Sequence, residues 1–190
     1  VDADNLRDMF EQLDVFQNPK VLVAAPSSKV LGNMLGHTTI LEYFYEKGYD
    51  VMHITSKFGA IINDKKVGRE EFFKTLQTWG ADDTKKFVIF HYSILSEGIN
   101  VPGLTHTILL RNLPIVEMAQ TIGRVIRVHK DDRAAVAEGK IPAGAFHLYK
   151  KSEGIVTMPT GYKMGNAIAQ RLQNVVNQIF LEGVPPLAYC

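Results

Sequence analysis

An α/β fold, with a parallel sheet between helices in three layers, is predicted by three observations. Apolar runs without alternation, such as Phe87-Val-Ile-Phe90 and Thr107-Ile-Leu-Leu110, read as strands buried on both faces. Between such runs, apolar residues recur at helical spacing. Strand and helix patterns alternate along the chain, as crossover connections in a parallel sheet require.

Each element follows in order. Leu6, Met9, Phe10 and Leu13 stand at helical spacing, so residues 1–16 predict a leading helix with Asp2 or Asp4 as N-cap. Lys20-Val-Leu-Val-Ala-Ala25 is the first buried strand, ended by Pro26. Residues 33–47 predict one helix that buries Leu35, Ile40, Leu41 and Phe44, and Gly48 stops it. Val51-Met-His-Ile54 is the next strand. Residues 68–79 predict a helix with Phe72, Phe73 and Leu76 inward, Trp79 in the core and Gly80 at its C-cap. After the strands at 87–90 and 107–110, Pro114 takes a first-turn position in a helix that runs through Gln120. Residues 128–142 are charged and contain glycine, which predicts an exposed loop. Residues 144–149 predict the last strand. Met164, Ile168, Leu172, Val175 and Ile179 mark a packing helix over 160–183. No repeat or long linker divides the chain, so 1–190 is read as one domain with its core at 17–150.

Composition narrows the function classes. The chain has 190 residues, 46% of them hydrophobic and 22% charged, which suits a globular domain with its own core. A net charge of +1 means that nucleic-acid binding would have to come from local clustering. The single cysteine, Cys190, excludes a disulfide framework and fits a reducing, cytoplasmic setting. No apolar run approaches the roughly 20 residues that span a bilayer. The first residues lack the features of a signal peptide. The chain opens on Val1 rather than Met, which points to a piece of something longer.

Two segments carry the chemistry. Gln120-Thr-Ile-Gly-Arg-Val-Ile-Arg127 puts Arg124 and Arg127 one helical turn apart, just after Gly123. Guanidinium groups are always charged and present planar forks of donors to phosphate oxygens, so such a pair can grip a triphosphate. Taken alone, arginines at this spacing are more often a solvated helix face. Ser96-Glu-Gly-Ile-Asn-Val-Pro102 follows a buried strand, and Gly98 lets backbone N–H groups approach an anion closely. Asn100 can reach a sugar hydroxyl or the arginine helix. Taken alone, Gly-Ile-Asn-Val-Pro is equally a plain turn. Both segments are expected at the carboxyl edge of the sheet, where ligands of open α/β sheets gather.

With Lys20 to Ser28, these segments resemble motifs IV, V and VI of the C-terminal RecA-like domain of superfamily 2 helicases and translocases. The likeness runs from about Lys20 to Tyr149. Asn100 and the glutamine heading the arginine motif look more like DNA-remodelling members, such as the phage UvsW type, than like DEAD-box RNA helicases. The resemblance implies that Arg124 and Arg127 contact the γ-phosphate of ATP and that Gln120 orders the nucleotide or its attacking water. It implies nucleotide contacts for Gly98, Asn100 and Gly123. It implies phosphate-backbone contacts to nucleic acid for Ser27, Ser28, Ser96 and Arg111, and an ion pair for Arg111 is equally open. DNA is the expected track, with RNA second.

Absences define the chain's part. Gly139-Lys140 is the only Gly-Lys pair and lacks the glycine spacing of a phosphate-cradling loop. No Asp-Glu-x-Asp or Asp-Glu-x-His run exists to hold Mg²⁺. The chain is therefore expected to be half of a two-lobed motor, silent alone, sharing ATP and Mg²⁺ with an N-terminal lobe. The rival expectations are an RNA helicase lobe, a restriction-system translocase lobe, or a non-motor anion-binding domain. His129, Lys130 and Arg133 extend the positive charge, although a charge run beside a loop is usually solvated. His91 and Tyr92 are expected to pack, with base stacking as the alternative. His53 reads as a satisfied strand-end histidine, Lys150 and Lys151 as solvated, and no metal site is legible.

Overall fold

The computed structural model describes residues 2–11, 13, 18–25, 27–92, 101, 103–110, 129–151, 154–157, 170 and 174. Seven strands form one sheet: β1 (Lys20–Ala24), β2 (Asp50–Thr55), β3 (Gly59–Ile62), β4 (Lys65–Val67), β5 (Phe87–His91), β6 (His106–Leu109) and β7 (Ile155–Thr157). Their order is β4-β3-β2-β5-β1-β6-β7. The strands from β2 to β7 in that order run parallel, while β3 and β4 add an antiparallel edge.

Alternation along each strand sends side chains to two separate cores. Val21, Val23, Val51, Val88, Phe90 and Ile108 pack with α1 (Asp2–Glu11), α2 (Ser28–Gly36) and α3 (Ile40–Glu46). Leu22, Met52, Phe87 and Ile89 pack with Phe72 and Leu76 of α4 (Arg69–Ala81). This is the three-layer arrangement predicted, with helices on both faces. The leading helix docks on α3 through an edge contact of Phe10 on Phe44, with ring centroids 4.5 Å apart. At its end, Glu11 accepts a hydrogen bond from the Tyr43 hydroxyl at 2.7 Å.

Several elements depart from expectation. The predicted helix over 33–47 is two helices, α2 and α3, divided at 37–39. There the Thr38 hydroxyl bonds back to the Met34 carbonyl and also accepts the Ile40 N–H. Such a side chain competes with the helical ladder for the same backbone groups. Residues 128–142 are not simply an exposed loop, because Lys130–Ala137 is helical and is here α5. Asp132 within it is 2% exposed and accepts the backbone N–H groups of Lys150 (2.8 Å) and Lys151 (3.0 Å). Residues 144–149 form no strand. Phe146–Leu148 is a short 3₁₀ turn, and the strand slot beside β6 is filled by Ile155–Thr157. Phe73 and Trp79 are only partly buried against their core. Asp2 and Asp4 lie within α1. The predicted packing helix falls outside the described residues except Gln170 and Asn174, which are helical and joined by a 3.2 Å hydrogen bond.

Two buried titratable groups, Lys20 and His106, stand at the amino ends of β1 and β6. The Lys20 ammonium donates to the Trp79 (2.9 Å), Gly80 (3.3 Å) and Asp82 carbonyls at the end of α4. Burial pushes its pKa down despite Asp83 and Asp82 nearby. His106 is 1% exposed, with Nδ1 2.7 Å from the Thr105 hydroxyl, and burial drives its pKa down to about 4. Lys151 is half-buried rather than solvated, and loss of solvent brings its pKa down to about 8. His53 is likewise not a satisfied strand-end residue: it sits within β2, and its Nδ1 has no hydrogen-bond partner among the described residues.

These shifts give a pH signature. Between pH 4 and the ordinary histidine value of 6.5, unfolded His106 binds a proton that the folded state refuses. Stability therefore rises with pH through that window, by up to roughly 3 kcal/mol at 1.36 kcal/mol per pKa unit. Lys151 acts in the same sense between pH 8 and 10.5. Urea midpoints measured across pH should climb in both windows, and His106→Gln should flatten the lower one. A lower window that keeps its slope in that variant would assign the effect elsewhere.

Candidate nucleic-acid interface

The parallel strands bring the carboxyl ends of β1, β2, β5 and β6 to one rim. Ala25 leaves β1 there, bound through its N–H to the His91 carbonyl of β5 at 2.9 Å. Leu110 leaves β6 beside it, donating to the Ala24 carbonyl at 3.0 Å. Three described segments build the rim: the start of α2, the turn after β2 and the end of β5.

The first segment holds two predicted site residues. Ser27 is the N-cap of α2, in extended backbone, and its hydroxyl accepts the Val30 N–H at 3.1 Å. Ser28 opens the helix, half-buried, and Lys29 beside it is exposed. A helix start presents backbone N–H groups and the positive end of the peptide dipoles, which favours an anion. The Ser27 hydroxyl accepts in its cap and keeps its O–H as a donor, beside Ser28 and the exposed Lys29.

The second segment was not foreseen as a site, and in the third base stacking by His91 and Tyr92 was the alternative to packing. The Thr55 hydroxyl accepts the Phe58 N–H at 3.0 Å and fixes the turn after β2. Phe58 is 47% exposed there, with the Lys57 ammonium 5.2 Å from its ring centre. His91 closes β5 in the interior, and Tyr92 just beyond it is exposed. The rim segments 27–35, 55–62 and 87–92 contain no carboxylate, while Lys29 and Lys57 make no ion pair among the described residues. These three described segments are thus basic although the whole chain is nearly neutral.

Of the other predicted site residues, Ser96, Gly98, Asn100, Arg111, Gln120, Gly123, Arg124 and Arg127 lie outside the described residues. Among their described flanks, Tyr92 and Leu110, which precede them, stand at the carboxyl rim. Gly103 and His129, which follow them, stand at the opposite rim. His129 Nε2 is 2.8 Å from Asp83 there, and its Nδ1 accepts the Asp131 N–H at the start of α5. His129 therefore does not extend a positive patch on the ligand-binding edge; it pins α5 to the loop before β5.

The same geometry bears on metals. Ligand atoms of Asp83, His129 and Asp131 lie within 4.8 Å of one another. Both His129 ring nitrogens are engaged in the hydrogen bonds above, and Asp131 pairs with Lys150 at 2.6 Å. These groups satisfy each other and serve as a structural clasp.

No protein-family model matches the chain, and comparison with curated proteins gives no match. Among solved structures, the chain is similar to the C-terminal part of the Fun30 ATPase domain at 16% identity and a TM-score of 0.52. That alignment covers 89% of this chain and 44% of the other, so the chain spans less than half of the Fun30 structure. Domain 2 of the Mss116p DEAD-box helicase, solved with an RNA duplex, is similar at 12% identity and a TM-score of 0.41, over 94% of this chain and 67% of that one. No argument rests on the second likeness. The first shows a shared α/β fold of RecA-like type. No helix among the described residues is long and apolar enough to cross a membrane.

Proposed function

We propose that this chain is the second motor lobe of an ATP-dependent DNA helicase or translocase, nearest to DNA-remodelling types such as UvsW. One observation carries the reading: the glycine-containing segment and the arginine pair follow β5 and β6, the two strands that flank β1 in the parallel part of the sheet. The likeness in fold to the C-terminal part of the Fun30 ATPase domain supports it.

In this reading ATP lies between this lobe and an N-terminal one. Arg124 and Arg127 neutralise charge on the transferring phosphoryl group, and Gln120 orders the nucleotide or its attacking water. Gly98, Asn100 and Gly123 line the nucleotide side. Ser28 and Lys29, with Ser27, Ser96 and Arg111, hold the backbone of the nucleic acid. Loss of the γ-phosphate releases the arginine grip, the lobes open, and the track moves along the strand.

Binding of labelled DNA by the purified chain tests the reading. With about three phosphate contacts to a single strand, affinity should fall roughly 20-fold between 50 and 200 mM salt. DNA should bind at least as tightly as RNA of equal length. Salt-indifferent binding, or none, would sink the proposal; tighter RNA binding would turn it toward an RNA helicase lobe.

A further inference from the structure

Among the described residues three large hydrophobic side chains are exposed: Phe58, Tyr92 and Leu148. Single exposed apolar residues are commonplace on soluble proteins. What distinguishes Phe58 and Tyr92 is their placement. Both stand at the carboxyl rim, just beyond the ends of the adjacent strands β2 and β5. The strand register sets His91 against Ile54, so Tyr92 leaves the sheet beside Thr55, where the Phe58 turn begins.

The Phe58 ring is held in place. Its turn is fixed by the Thr55 hydroxyl. Its Cε2 atom lies 3.5 Å from where a Cβ on Gly32 of α2 would be, so one edge rests on the helix at a residue without a side chain. The Lys57 ammonium stands 5.2 Å from the ring centre. A ring anchored at one edge and 47% exposed is a preformed flat surface. Around it are Lys29, Lys57 and the N-terminus of α2, with no carboxylate in the three segments that carry them.

Resting on the reading of this rim as a nucleic-acid track, we propose that Phe58 and Tyr92 form a base-stacking platform, so that the lobe holds a single DNA strand by its bases as well as its phosphates. Aromatic rings interleaved with cations suit an unpaired strand, whose bases are free to lie on a ring. A duplex keeps its bases stacked on each other and offers such a ring nothing. The platform therefore gives the lobe a preference for single strands that phosphate contacts alone do not supply.

The test titrates the purified chain and its Phe58→Ala, Tyr92→Ala and Phe58→Trp variants with a labelled thymidine homopolymer and with an abasic strand of equal length. Phe58→Ala should weaken binding of the thymidine strand by roughly 5- to 150-fold, the range that stacking spans on alanine substitution. Its salt slope should stay unchanged, because no phosphate contact is lost. On the abasic strand Phe58→Ala and wild type should bind alike. Phe58→Trp should restore affinity, with its fluorescence quenched on binding. Thermal melts of each variant confirm that it is folded at the titration temperature. If both alanine variants bind the thymidine strand as wild type does, with the salt dependence intact, the platform is wrong and the track reading stands. Equal losses on both strands also overturn the platform. If wild type binds neither strand, the platform and the track reading fall together.

Discussion

Arg124→Ala should lower DNA-stimulated ATP hydrolysis by about 10³–10⁵-fold when the chain is joined by an N-terminal lobe carrying the phosphate-cradling loop and the acidic box. The size follows from the chemistry. The phosphoryl group passes through a loose transition state with charge spread over its equatorial oxygens, so catalysis is mostly positioning and charge stabilisation. A guanidinium placed there acts in a water-poor cleft, where its field is weakly screened. DNA binding by the variant should be nearly normal, because in the proposed reading other groups hold the strand. Arg124→Lys should not rescue, since an ammonium lacks the planar fork. Steady-state ATPase with and without DNA is the measurement. A rate kept by the alanine variant would remove the finger assignment and leave the pair as a solvated helix face.

How much of this was legible in the sequence depends on what each residue signals locally. Phe87-Val-Ile-Phe90 and Thr107-Ile-Leu-Leu110 could hardly be anything but central strands, and β5 and β6 stand where they were read. The edge hairpin was missed because its turn, Asn63-Asp64, lacks the glycine that usually marks positive φ, though both residues adopt it at 47° and 64°. Lys65-Lys66-Val67 also shows no apolar alternation, as suits an edge guarded by charge. Ala145-Phe-His-Leu-Tyr149 looked like a strand, but Gly144 at φ 83° and the Leu148 N–H to Ala145 carbonyl bond turn it into a tight coil. Ile155-Val-Thr157, rich in β-branched residues, takes the place beside β6. Asp132 resembled a solvated charge because nothing in a sequence says that two N–H groups 18 and 19 residues away will converge on it.

The site divides along the same line. Motif chemistry is written in spacing, so the Ser96–Pro102 segment and the arginine pair are expectations of the sequence alone, and Ser96, Gly98, Asn100, Arg124 and Arg127 lie outside the described residues. Phe58 carries no such signature. Only its exposure, its seat on Gly32 and its adjacency to Tyr92 across two strands set it apart, and all three are tertiary facts. The basic character of the described rim segments is also tertiary, since Lys29 and Lys57 are far apart in the chain and share an edge only because β1 and β2 run parallel on either side of β5.

Gly103→Ala should destabilise the protein by about 3–6 kcal/mol, a large part of a typical domain's stability. Gly103 directly follows the Ser96–Pro102 segment and adopts φ 69°, where a side chain costs roughly 1–2 kcal/mol. A Cβ there would also lie 2.0 Å from the Gly80 carbonyl oxygen and 3.1 Å from its carbon, both backbone at the end of α4. Nor can Gly80 easily move, since the Lys20 ammonium donates to that carbonyl and to its neighbours. Relief would have to separate the loop from α4 and disturb Val101 and Leu104, which are buried on either side. Gly48→Ala supplies the comparison. Gly48 has φ 82° but open space around its missing Cβ, so its variant pays the backbone strain alone. Urea denaturation of both isolates the collision as the difference between them. If Gly103→Ala costs no more than Gly48→Ala, the loop and α4 are not pressed together, and the anchor assigned here to the segment before β6 does not exist.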